Sequence, residues 1–424
     1  MRIRWWVMAV LLVGLPAAAR AESEVDILLN KLVEKGILTG VEAGQIRQEI
    51  SETKDARTTQ LAKDVLPDNW RWKGDVRLRN DYRDQSGESR ENFNRQRIRL
   101  RVGAEGKVND ELKAGFRLST GANTSPGVPN QTLDDTFSKK FFFLDQAYIA
   151  YMPRLPDDFG QLSVTGGMFE NPFWATSPMV FDPDLSWAGL VVKETYAIGS
   201  PTVATAFLSG GVFPVDSDAN GGRIPAMYST QGGVVLTPWA EEVDAPEYIK
   251  NLKLTGALAY HDMTNVVDAG ALIINTPTTA GGSNELGAAE DFNVLNPAYE
   301  LATVIGGVPV STYGDFVVNT SASGDRRGFN LGVKAGKATT PWDVKRGWET
   351  GYFYQKLDTN AAFDGFTDSD FNGGGTNNKG NAWWVTLAVL KNTTFTTKVL
   401  AGQSINPEPK NNTLTWQWDL LTKF

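Results

Sequence analysis

From residue 70 onward the chain alternates with a period of two. In WRWKGDVRLRNDY (70–82), Trp70, Trp72, Val76, Leu78 and Tyr82 fall on one parity. Arg71, Lys73, Asp75, Arg77, Arg79 and Asp81 fall on the other. Only an extended strand sends successive side chains to opposite faces in this way. RQRIRLRVGAEG (95–106) repeats the pattern, with Arg95, Arg97, Arg99 and Arg101 set against Ile98, Leu100 and Val102. After a turn at Asn109 and Asp110, Leu112, Ala114, Phe116 and Leu118 oppose Lys113, Arg117 and Ser119. An unpaired buried guanidinium is costly, so the basic face demands water or counter-charge while the other demands an apolar medium. A soluble sheet with one buried and one hydrated face would satisfy a single such strand. A long succession of them points to a membrane barrel with lipid outside and a wet lumen within.

That succession is present. Similar runs fall near 141–152, 161–169, 187–198, 202–213, 226–237, 250–263, 297–305, 308–319, 326–338, 346–358, 380–391, 393–404 and 412–424. With the first three they make 16 strands, or 14 if 297–305 and 308–319, parted only by Gly306 and Gly307, are not a pair. Either count is even, as a closed antiparallel barrel with both ends on one side requires. Connections alternate between short (109–110, 153–160, 199–201, 306–307, 339–345, 391–393) and long (84–92, 122–140, 170–186, 214–225, 264–296, 359–379). Short turns on one rim and long loops on the other are the outer-membrane pattern. The fold class expected is therefore all-β, a transmembrane antiparallel β-barrel over 69–424.

The segment ahead of the barrel reads differently. Arg2 and Arg4, an apolar run from Trp5 to Leu15, and Ala19 and Ala21 in A-x-A spacing form a secretory leader over 1–21. Removing it takes away Arg2, Arg4 and Arg20 and moves the formal charge from −8 to −11, which argues against a nucleic-acid partner. Residues 22–52 have helical spacing: Ile27, Leu28, Leu32 and Val33, a break at Gly36, then Thr39 and Glu42 as a capping box ahead of Ile46 and Ile50. This short α-helical segment is expected in the periplasm, with 53–68 as a linker. No cysteine and one histidine, His261, exclude disulfides, thiolate metal sites and Cys nucleophiles. His261 shares a strand face with Lys253 and Thr255 and reads as a lumen residue; no nucleophile pattern or phosphate loop accompanies it, and no enzyme is expected.

Trp70, Trp72, Trp239, Trp342 and Trp348 lie near the short-turn end, and Trp187, Trp383 and Trp384 near the long-loop end, as two interfacial girdles would. The chain closes on Phe424 after Leu414, Trp416, Trp418 and Leu420 of one strand face. That ending resembles the signal read by the barrel assembly machinery.

LLNKLVEKGILTGVEAGQI, WRWKGDVRLRNDY, NRQRIRLRVGAEGKVND, LDQAYIAY, GGMFENPFW and YGDFVVNTSASGDRRGFNLGVKAG, in this order, resemble the bacterial putative porin family. The resemblance implies a 16-stranded outer-membrane barrel with a periplasmic helical segment, passing small hydrophilic solutes passively. Its layout is similar to that of phosphate-selective porins, which are trimers, so a homotrimer in outer-membrane lipid is the partner expectation.

Alternation gives the pore-lining candidates: Arg71, Lys73, Arg77, Arg79, Arg95, Arg97, Arg99, Arg101, Lys113 and Arg117, partly offset by Asp75, Asp81 and Glu105. A free arginine wall would favour anions; arginines paired with carboxylates of neighbouring strands would stiffen the barrel instead. In the connection ENPFWATSPMVFDPDLSWAGL, Pro172, Pro178 and Pro183 restrict the chain. An infolding there would set Glu170, Asp182 and Asp184 against the arginine wall as a constriction. Asp216, Asp218 and Asn220, and again Asp368, Asp370 and Asn372, make D-x-D-x-N-G runs reminiscent of calcium loops. Met227 and Lys379 stand where the closing Glu would be, so polar loops are expected, with no metal or cofactor. Two functional alternatives stay open: a solute-specific channel for an oxyanion such as phosphate, and a structural barrel tethering the envelope through its helical segment.

Overall fold

The structure is a computed structural model. It describes residue 31 and residues 69–86, 92–121, 128–156, 160–200, 202–215, 224–242, 244–268, 271–272, 284–287, 290–406 and 412–424. The leader, nearly all of the helical segment, the linker and the Asp216–Asn220 run lie outside the described residues.

Sixteen long strands form one closed antiparallel sheet: β1 Trp70–Ser86, β2 Phe93–Lys107, β3 Leu112–Thr120, β4 Phe142–Tyr151, β5 Gln161–Glu170, β6 Ser186–Ala197, β7 Ala204–Pro214, β8 Ala226–Leu236, β9 Lys253–Thr264, β10 Phe292–Ile305, β11 Val308–Asn319, β12 Arg327–Gly336, β13 Trp348–Leu357, β14 Asn378–Leu390, β15 Thr393–Ser404 and β16 Asn412–Lys423. Each pairs with its sequence neighbours. β1 closes the ring by pairing with both β2 (Arg77 opposite Arg99) and β16 (Arg79 opposite Asp419). Closure leaves no unpaired edge, which lipid would not tolerate. The two-residue strand Gln131–Thr132 adds to β2 beside Arg97 and Ile98.

The Gly306–Gly307 hairpin is real, so the count is sixteen. Both residues take positive φ, +59° and +81°, as a two-residue turn matching strand twist requires. β10 begins at Phe292, five residues before the sequence pattern suggested, because its first inward residues, Phe292 and Val294, are apolar rather than charged.

The parity argument holds along the sheet. Leu78 is 48% exposed on the outside, as are Leu190, Leu208, Leu258 and Trp383, while Arg79, Asp81 and Arg99 on the opposite parity are buried. The rim asymmetry is less strict than expected. The connection 237–252 carries a helical turn, Glu247–Lys250, yet leaves on the short-turn side, and 320–326 is brief on the long-loop side.

Candidate functional site in the barrel lumen

β1, β2 and β3 pair in register so that their basic residues share the inner face. Most of these cations are matched. Arg95 Nη2 lies 2.7 Å from Asp81, and Arg99 and Arg101 bracket Asp75 at 2.8 and 2.7 Å. Arg79 binds Asp419 of β16 at 2.7 Å, and Lys73 and Lys113 share Glu105. A bulge opposite Arg117 and Leu118 turns Asp145 of β4 to the same side, where it pairs with Arg117. Cross-strand pairing thus takes up much of the wall's charge.

Two neighbours differ. Arg77 meets no carboxylate within ion-pair distance among the described residues; its Nη2 donates to Asn130 Oδ1 at 2.6 Å. Arg97, 7% exposed, comes no closer to Asp81 than 3.8 Å. The Nε–H groups of both are buried without an acceptor. Pair geometry here is too loose to offset the removal of these groups from water.

Two long connections reach this wall from elsewhere on the ring. In 171–185, which follows β5, Asp184 Oδ1 stands 3.2 Å from Arg99 and 3.3 Å from Arg101. At its start, Glu170 pairs with Arg117 at 2.7 Å. In 358–377, which follows β13, Asp370 pairs with Arg79 at 2.8 Å. A loop from β13 can touch an inward arginine of β1 only by crossing the lumen, so both connections fold into the barrel.

Each crossing is pinned by polar contacts. The Trp174 N–H donates to Gln231 Oε1 at 2.8 Å, while Gln231 Nε2 donates to the Trp174 carbonyl at 2.7 Å. Ser177 Oγ donates to Asp315 of β11 at 2.6 Å. The two loops join where the Asp182 N–H donates to the Phe366 carbonyl at 2.7 Å and the Ser369 N–H donates to Asp182 Oδ2 at 3.0 Å.

Away from the basic wall, part of the lumen is apolar, among polar residues such as Gln231 and Asp315. Phe173, Met179 and Val180 of the first loop and Ala361, Ala362 and Phe363 of the second pack on inward residues of β5–β11 and β13, among them Phe213, Met263, Phe292 and Leu357. The sequence placed the basic lining on the first three strands and gave no sign of this apolar stretch. The reason lies in the loops, which need an apolar wall to bury their own apolar residues.

Two tryptophans leave the girdle, Trp187 into this cluster and Trp384 against Tyr313, Phe353, Phe371 and Leu400. Trp187 is 5% exposed and packs edge-on to Phe213 and Phe181 at ring distances of 4.8 and 4.7 Å. Trp384 turns inward, and its Nε1 donates to Glu349 at 3.2 Å. Trp72, Trp239, Trp342 and Trp383 are exposed. His261 faces inward but is 1% exposed, beneath Phe173 and Phe181, with Nδ1 2.8 Å from Ser229 Oγ. Ser229, on the next strand, was not visible as its neighbour in sequence. Both are buried under the loop.

The junction of the loops concentrates negative charge. Burial, then Asp368 and Asp184, pushes the Asp182 carboxyl up to about 7. Burial also raises Asp368. Asp370 goes the other way: burial opposes its ionisation, but the Arg79 guanidinium holds it well below the usual carboxylate range. In the second D-x-D-x-N-G run, Asp370 is therefore committed to Arg79, and Asn372 Oδ1 accepts from Thr413 at 2.9 Å.

Of the residues expected in the lumen, Lys73, Arg77, Arg79, Arg95, Arg97, Arg99, Arg101, Lys113 and Arg117 share the inner wall, and Asp184 and Glu170 meet it. Asp182 does not; it joins the two loops. Arg71 is exposed at the rim. Sequence reasoning missed Asp370, Asp419, Asp145 and Asn130 as partners. Asp370 carried a signal, an acidic run in a long loop, but the arginine it meets lies far away in the chain.

The chain matches the family model described as Putative porin over residues 74–270 and 286–424. No curated protein matches it. Among solved structures it is similar to the high-pH form of OprB from Pseudomonas putida, with 14% identity over 87% of this chain and 96% of that one and a TM-score of 0.54. The low-pH form of the same protein gives 12% identity over 88% and 97%, with a TM-score of 0.50. At such identities these neighbours speak for the fold.

Proposed function

Because this chain belongs to the Putative porin family, an outer-membrane channel for passive solute diffusion, we propose that its pore favours small anions. The family and fold point to a channel rather than an enzyme. The observation that carries the anion reading is the Arg77–Arg97 neighbourhood. Two guanidinium groups sit on adjacent strands, each with a buried Nε–H that has no acceptor and neither with a close carboxylate. A passing anion supplies the missing counter-charge, whereas a cation meets repulsion. The pairs around Asp75, Asp81 and Glu105 keep the preference moderate. The constriction would be formed by 171–185 and 358–377, which Asp184 and Asp370 hold against the wall through their pairs with Arg99 and Arg79.

The test is the reversal potential across a KCl gradient for the purified protein in planar bilayers. The wild type should read anion-selective, and neutralising Arg97 and Arg99 should move the potential toward cations. A cation-selective wild type would refute the reading. Assembly as a homotrimer, recognition of Phe424 by the barrel assembly machinery and a periplasmic place for residues 22–52 belong to the same proposal, supported by the family resemblance and the sequence pattern.

A further inference from the structure

The lumen holds a cavity of about 680 Å³ against the inner faces of β1–β6, on the short-turn side of the first infolded loop. Its polar lining falls into two sets. Asp75, Glu105 and Glu170 are all engaged by arginine or lysine. The second set is unmatched. Lys193 of β6 and Lys423 of β16 have no carboxylate within ion-pair distance among the described residues. Gln146 of β4 is 6% exposed, and its Nε2 is buried without an acceptor. Ser163 and Thr165 of β5 complete the set with hydroxyls.

We infer that this cavity is a binding site for small organic acids, compounds with one or two carboxylates on a short apolar body. The Ser163 hydroxyl and the Lys193 ammonium stand opposite each other in the β5–β6 register, and a carboxylate between them accepts from both. Lys73 and Lys113, which share the one carboxylate of Glu105, leave positive charge in excess on the facing wall. A second carboxylate fits there. Ala150 and Val191, in register between Lys113 and the Lys193 side, line the cavity and give the solute's methylenes an apolar surface. Inorganic phosphate has nothing to place on that surface.

This site rests on the anion-favouring reading and adds a resting place to it. Ions are first drawn by the arginines, and an organic acid then pauses at Ser163 and Lys193. Pore sites that bind too tightly would block passage, so the site is weak and saturable.

The experiment measures single-channel current in KCl with succinate added to one side, and with inorganic phosphate and glucose in parallel. Wild-type current should fall saturably with succinate. Lys193→Gln and Ser163→Ala should each raise the half-blocking concentration, Lys193→Gln by about tenfold, equivalent to about 1.4 kcal/mol. Lys334→Gln, which removes an inward lysine outside the cavity, should leave the block unchanged. The KCl reversal potential, measured on the same channels, separates the two ideas and shows that each variant has folded. Anion selectivity without saturable succinate block overturns the site and spares the parent reading. Loss of anion selectivity in the wild type overturns both. Equal block by phosphate and succinate overturns the assignment to organic acids, as does block that survives both cavity variants.

Discussion

Asp184 Oδ1 lies 3.2 Å from the Arg99 guanidinium although 85 residues of chain separate them. The contact fixes the first infolded loop to the basic wall and divides the lumen into an ionic side and an apolar side. The functional expectations follow from that division.

Arg97 should control selectivity more than Arg95. Arg95 is held by Asp81 at 2.7 Å, whereas Arg97 reaches it only at 3.8 Å. Arg97→Gln should shift the KCl reversal potential toward cations, and Arg95→Gln should shift it by less than half as much. An equal shift would show that pairing does not mute these charges.

Acidification should strengthen the junction between the loops. The Asp182 carboxyl is raised to about 7 by burial, with Asp368 and Asp184 adding repulsion. An acid whose folded pKa exceeds its unfolded value contributes stability that is complete below the unfolded pKa and lost as pH rises through the folded one. Between pH 8 and pH 6 the loops should therefore dock more firmly, and the lumen should lose negative charge. Anion selectivity should rise and current noise should fall over that interval. Asp182→Asn should show the low-pH behaviour throughout; a variant that still titrates near 7 would place the effect on another group.

The apolar side should govern stability. Phe363 is buried against Phe292 at a ring distance of 5.5 Å. Replacing a buried Phe with Ala costs about 3–5 kcal/mol. Because the barrel itself stays paired, Phe363→Ala should free the second loop and raise single-channel conductance, with little change in strand content by circular dichroism. Unchanged conductance would argue that 358–377 does not narrow the pore.

The lipid-facing parity can be tested directly. Leu78→Arg should destabilise the folded barrel by roughly 2–4 kcal/mol if the residue sits near the bilayer midplane. This is measurable by denaturant unfolding in vesicles. Thr396→Arg, on the inward parity of β15 and opposite Asp419, should cost less. The reverse order would exchange the assigned faces.

The alternation of charge and apolar residues over 70–119 determined the barrel, its strand parity and which residues enter the lumen. It could do so because strand geometry has a period of two and lipid punishes any charge on the wrong face. Gly306 and Gly307 even marked the hairpin that settles the count at sixteen. Other features were decided only by closing the ring and folding two loops into it. Asp370 meets Arg79, Ser229 meets His261, and Trp187 leaves the girdle for an internal aromatic cluster. Each depends on contacts between segments remote in the chain, and no local period encodes them. The charge of a lumen wall is the sum over partners that tertiary structure brings to it, so the sequence could list the arginines but not say which of them remain free.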